Sequence, residues 1–182
     1  ESKTTTSLKW KADVIDFFNT PEYPSYKNKT ALEIGSSLGH STHILSNMFK
    51  QVIAVDNLAE RHIKSQNLNK DRNNITYKVM DVYKEKWNFN NVGVVLIDCF
   101  HDYKHVKKDI NNALQLGKNI IFLFDDYGLF PEVKRAIDEF IMEGKLKLIK
   151  KIGHYKGVIY PKTQNKILKD REGIICLFKF SN

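Results

Sequence analysis

The sequence predicts an α/β protein built on a doubly wound, mostly parallel sheet of seven strands, with an antiparallel C-terminal strand and helices on both faces. Three observations carry this. From Thr30 onward, apolar runs of strand length alternate with helical patterns, the signature of right-handed βαβ units. Acids recur at the ends of those runs. The end of the sequence breaks the alternation with two strand-like runs and no helical pattern between them, which reads as an antiparallel pair at one edge. With 182 residues, one domain is expected: 1–29 supply a helix and a substrate-side segment, and 30–182 the core.

Taken in order, S-L-K-W-K-A-D-V-I-D-F-F opens with a helix that Ser7 caps, with Leu8, Ala12, Ile15 and Phe18 as its apolar stripe. T-P-E-Y-P-S-Y-K-N-K then breaks it with two prolines. Strands are predicted near 30–34, 51–55, 74–79, 92–98 and 119–124, and helices near 40–50, 58–69, 103–116 and 132–143. K-L-K-L-I-K-K-I-G and G-I-I-C-L-F-K-F form the closing pair. The segment between them, H-Y-K-G-V-I-Y-P-K-T-Q-N-K, either folds beside the site or only connects the two strands. Trp10, Phe17 and Phe18 equip the first helix to dock on its own sheet or on a partner, a homodimer included.

Composition narrows the function classes. No stretch reaches the roughly 20 apolar residues of a membrane span, and E-S-K-T-T-T-S lacks the apolar core of a signal peptide, so a cytoplasmic protein is expected. Cys99 and Cys176 lie inside apolar runs and read as free thiols. The net charge of +8 sits entirely in residues 145–182, with ten Lys or Arg against two acids, whereas residues 1–144 hold nineteen of each. Such a segment is either a solvated lysine-rich edge or an attractor of anions, nucleic acid among them.

The chemistry gathers at strand ends. Residues 31–42, A-L-E-I-G-S-S-L-G-H-S-T, read as strand, glycine turn and helix start, the form in which such sheets bind small ligands. Gly35 allows close approach of a ligand to the main chain, and Glu33, a carboxylate in an apolar strand, needs partners. Asp56 closes V-I-A-V-D, Asp81 follows Y-K-V-M, Asp98 closes V-V-L-I-D, and Asp125 and Asp126 close I-I-F-L-F-D-D. In a parallel sheet these ends share one crevice. A dinucleotide site would require G-x-G-x-x-G; here Ser37 and His40 stand at two of the glycine places, which argues against a pyrophosphate ligand.

These residues resemble the first motif of the class I S-adenosylmethionine-dependent methyltransferases, with their Rossmann-like fold: Glu33, Gly35 and Gly39 match, and Ser37 stands where the family more often has glycine. The resemblance implies that Gly35, Ser36, Ser37 and Gly39 cradle the methionine portion, with Ser41 and Thr42 at the helix start. It implies Asp56 with Asn57 on the ribose, Asp81 with Val82 at the adenine, and Asp98 beside the cofactor. L-I-D-C-F-H-D-Y and F-L-F-D-D-Y-G further resemble the metal-dependent O-methyltransferases of the macrocin, sugar and catechol types. That likeness implies Mg²⁺ on Asp98, Asp125 and Asp126. His101, three residues after Asp98, is the candidate general base. His105, one helical turn on, is expected to face away from the crevice.

The expected activity is therefore methyl transfer from S-adenosylmethionine to a hydroxyl on a small-molecule acceptor. Two alternatives stand beside it. The basic segment suits methylation of RNA or another polyanion, and the fold also suits a cofactor-binding module without catalysis.

Overall fold

Five parallel strands form in the predicted order: β1 (Thr30–Ile34), β2 (Gln51–Asp56), β3 (Ile75–Val79), β4 (Val92–Ile97) and β5 (Ile120–Phe124). They belong to a computed structural model that describes residues 6–160, 163 and 165–178. The helices are α1 (Leu8–Phe18), α2 (His40–Met48), α3 (Ala59–Leu68), α4 (Tyr103–Leu114) and α5 (Pro131–Met142). The closing pair is β6 (Lys147–Ile152) and β7 (Gly173–Phe178); Lys179 and Phe180 of the predicted run lie outside the described residues.

The sheet order is β3-β2-β1-β4-β5-β7-β6, with β7 antiparallel to both neighbours. Alternation of side chains across the pleat divides the core in two. Leu32, Ile34, Val95, Ile97, Phe122 and Phe124 meet Val106 and Ile110 of α4 and Val133, Ile137 and Phe140 of α5. Ala31, Val52, Val94, Leu96, Ile121 and Leu123 meet α1 and Leu45 of α2. The interior strands β4, β5 and β7 are buried along their whole length, as strands covered on both faces must be. β6, at the edge, keeps Lys147 and Lys150 in solvent, which discourages pairing with a further strand.

The stripe predicted for α1 packs only in part: Phe18 is buried and Ile15 half-buried. Leu8 and Ala12 are exposed, and the buried residues are Trp10, Val14, Phe17 and Phe18. Both sets satisfy helical spacing, and the larger aromatic surface takes the core. The Trp10 ring lies against Gly173, and its Nε1 donates to the Phe124 carbonyl at 3.3 Å. The helix thus docks on its own sheet.

Two buried acids clamp it there. Asp13 accepts from the Gly153 N–H at 2.8 Å; burial pushes its carboxyl up, and Lys9 and that N–H bring it below its ordinary value. Glu172 accepts from Ser7 N–H at 3.1 Å, Ser7 Oγ at 2.6 Å and His154 N–H at 2.9 Å, while Ser7 Oγ also caps Trp10 N–H.

Between β6 and β7, Ile159 bridges Ile167, so the connecting segment folds back on itself as a small hairpin. Its Pro161, Lys162 and Gln164 lie outside the described residues. Tyr160 and Leu168 turn inward onto Leu129, and Lys169 N–H donates to the Gly128 carbonyl at 3.0 Å. The segment therefore lies beside the end of β5.

Candidate active site

The sheet reverses its winding between β1 and β4, the place where an open α/β sheet leaves a crevice beyond its strand ends. A cavity of about 740 Å³ opens there, within the range of small-ligand sites. Of the predicted residues, Gly35, Ser37, Asp56, Asn57, Asp81, Val82, Asp98 and His101 line it. Glu33, Ser36, Gly39, Ser41 and Thr42 are not among the lining residues.

Local geometry explains the division. Gly35 has φ +89°, and a Cβ on it would stand 2.1 Å from the Asp98 carbonyl oxygen, so β1 meets β4 here only as glycine. Gly39, at φ +83°, faces α3: its added Cβ would fall 1.9 Å from Ser65 Oγ. Ser37 is left-handed at φ 47°, which accounts for the family's glycine at that place, and its N–H donates to Asp56 Oδ2 at 3.0 Å. Glu33 is fully buried behind the turn and accepts from the hydroxyls of Ser41 and Thr42. Burial raises its carboxyl to about 7 against those hydrogen bonds, with Asp98 and Asp56 adding to the rise. Ser41 and Thr42 thus serve the buried carboxylate that ties α2 to β1.

Asp56 is held from three sides. Beyond the Ser37 contact, Leu58 N–H donates to Oδ1 at 3.0 Å, and Arg61 reaches the carboxylate at 3.4 and 3.5 Å. Arg61 lines the cavity too; it is five residues past Asp56 on α3, a placement that no motif announces. Asp81 caps the turn after β3, accepting from Tyr83 N–H at 3.0 Å, and its Lys84 partner, with that N–H, holds its carboxyl below the usual value.

A second group closes the β5 side. His101 Nε2 stands 3.1 Å from Asp126 Oδ2 and 3.6 Å from Asp98 Oδ1. Burial lowers the imidazole, but the two carboxylates prevail and lift it to about 9. Asp126 achieves this from a left-handed backbone, φ 60°, directly after β5. Among the described residues, Asp98, His101 and Asp126 offer ligand atoms within 4.8 Å of one another, the spacing of a cation site. Asp125, expected in the same set, is not part of this group, and its Oδ1 accepts from Asp126 N–H at 2.9 Å. Phe130 stacks on the His101 ring at 4.5 Å and 9°, a contact the sequence did not signal.

His105 corrects another expectation: it lines the cavity rather than facing away. The start of α4 turns its ring onto Tyr83 at 4.4 Å and Phe100 at 4.9 Å, with Asp102 on Nδ1. Tyr83 donates to the buried Asp109, whose carboxyl burial raises to about 7, so the far end of the cavity has an aromatic wall.

A family model described as a methyltransferase domain matches residues 32–127. No curated protein matches the chain in sequence. Solved structures share the fold. The N-methyltransferase NodS from Bradyrhizobium japonicum WM9 is 13% identical over 94% of each chain, with a TM-score of 0.64. A provisionally assigned rRNA methylase from Clostridium thermocellum is 14% identical over 97% of this chain and 100% of its own, also at 0.64. A provisionally assigned methyltransferase from Streptococcus mutans, SMU.1697c, in complex with SAH, is 15% identical over 85% of this chain and 90% of its own, at 0.60.

Proposed function

This chain belongs to the methyltransferase-domain family, and from that premise we propose that it moves the methyl group of S-adenosylmethionine to a hydroxyl of a small molecule, a sugar or a phenol, with Mg²⁺ engaged by Asp98 and Asp126. The observation that carries this reading is the convergence of Asp98, His101 and Asp126 at the β5 side of the cavity. Two carboxylates within reach of one another suit a hard divalent cation that keeps part of its water. Bound there, such an ion supplies positive charge that holds and acidifies the acceptor hydroxyl.

The cofactor portion follows from Asp56. Its contacts to Arg61 are long, whereas the Ser37 and Leu58 N–H groups fix the carboxylate. Ribose hydroxyls can therefore displace the guanidinium without disturbing the aspartate. In the reaction the acceptor oxygen forms a bond to the methyl carbon as the carbon–sulfur bond breaks. With a cation on Asp98 and Asp126 to offset the carboxylate charge that keeps the imidazole protonated, His101 Nε2 takes the hydroxyl proton while S-adenosylhomocysteine leaves as a neutral thioether. Phe130 holds the imidazole plane, and Asp126 fixes its direction. Because the sulfonium is already activated, alignment and removal of one proton are the protein's share.

The test is transfer of labelled methyl from S-adenosylmethionine to matched hydroxyl, amine and RNA acceptors, with and without chelator. Chelator-sensitive labelling of hydroxyls supports the reading; labelling of amines or RNA alone overturns it. A second reading, methylation of RNA, draws on the exposed Lys147, Lys150, Lys156, Lys166 and Lys169. It requires activity that falls steeply with added salt, as counterion release dictates.

A further inference from the structure

We propose that the hairpin between β6 and β7 selects acceptors bearing an anionic group, a carboxylate or a phosphate monoester, through Lys166. This rests on the O-methyltransferase reading and names the acceptor's chemistry. The cavity runs across the ends of β3, β2, β1 and β4 and reaches His101 at its β5 side. With the cofactor in that cavity, an acceptor enters from the side of β5, where Phe130 and the hairpin stand.

Lys166 Nζ lies 4.7 Å from the centre of the Phe130 ring, the same ring that stacks on His101 at 4.5 Å. The cation is thus one aromatic ring removed from the imidazole assigned to take the acceptor's proton. Lys134 and Lys151, which stand over the Tyr127 ring, are by contrast paired, with Asp138 and Asp170. Among the described residues no carboxylate lies at ion-pair distance from Lys166. A cation–π contact leaves an ammonium available for a stronger, charged hydrogen bond when an anion arrives.

The described arms of the hairpin are packed and hydrogen-bonded. Tyr160 and Leu168 are buried on Leu129, Tyr160 N–H donates to the Lys166 carbonyl at 2.8 Å, and Lys169 N–H is bonded to Gly128. Its alternation turns Ile159 and Ile167 outward, beside Lys166. An anion held at Lys166 lies about one small-molecule length from His101, so it orients the reacting hydroxyl without touching it.

The experiment compares two acceptor pairs that differ in one anionic group: catechol with 3,4-dihydroxybenzoate, and glucose with glucose 6-phosphate. Methyl transfer is measured with wild type and Lys166→Gln, and binding of all four compounds to the cofactor-loaded protein is measured by calorimetry. The expected result is that wild type favours the anionic member of at least one pair. Lys166→Gln should raise KM, or Kd, for that member by about ten- to a hundredfold, the worth of one hydrogen bond to a charged group. The neutral member and kcat should be unaffected. Equal losses for both members of a pair, or no loss for the anionic one, overturn the proposal, as does failure of both anionic compounds to bind. If the anionic compounds bind through Lys166 but no hydroxyl is methylated, the O-methyltransferase reading fails while the anion site stands.

Discussion

Glu33 and His101 show how single buried groups set measurable properties. A carboxyl raised by burial keeps its proton in the folded chain over a window in which the unfolded chain has already released it. For Glu33 the window runs from the ordinary 4.5 to about 7. The folded state there binds more protons, so stability falls as pH rises through the window and is level above it. Glu33→Gln should remove about 3 kcal/mol of that fall, seen as flatter denaturant midpoints between acid and neutral pH. Asp109, also raised to about 7, should keep its own share of the slope in that variant. His101→Ala should lower the methyl-transfer rate by about 10² to 10⁴ if the imidazole is the base. A wild-type rate would place it outside the mechanism. Asp126→Asn separates charge from backbone, because asparagine tolerates the left-handed angle at this position. It should abolish chelator-sensitive activity at nearly unchanged melting temperature. The sequence made Asp98, His101 and Asp126 legible because each stands at or just past a strand end. It could not separate Asp126 from Asp125: two adjacent acids read alike, and only the left-handed turn decides which one reaches His101.

At the scale of elements, α1 shows what periodicity leaves open. Leu8, Ala12 and Ile15 repeat as well as Trp10, Val14 and Phe17 do, and the choice between them is made by Gly173 and the Phe124 carbonyl, far along the chain. Trp10→Ala should therefore cost about 3–5 kcal/mol, the usual toll of emptying a fully buried aromatic site, whereas Leu8→Ala should change little. Urea titrations of the two variants provide the comparison. The antiparallel pair was readable from the loss of helical pattern after α5, but not the interior place of β7, between β5 and β6. The inward turn of Tyr160 and Leu168 was not readable either, since a segment of thirteen residues with three lysines reads as connection until its partner at Leu129 is known.

For the whole molecule, the cofactor should act as a stabiliser. S-adenosylhomocysteine at a hundred times its Kd should add about 2.7 kcal/mol to folding, read as a rise in melting temperature. Asp56→Ala should shrink that rise, and a chelator should not. A full rise in the variant would contradict the ribose assignment. The basic tail of the sequence, read as one feature, is divided by the fold between the β6 edge and the hairpin beside Leu129 and Phe130. Net charge told of neither place.

The order β5-β7-β6 also sets a schedule for synthesis. β7 is translated after β6 but occupies an interior slot, against Ile120–Phe124 on one side and β6 on the other. Until residues 173–178 leave the ribosome, β5 presents an unpaired apolar rim and Trp10 has no Gly173 to rest on. A nascent chain halted at residue 172 should therefore engage chaperones or aggregate, while one carrying β7 should become protease-resistant in a single late step.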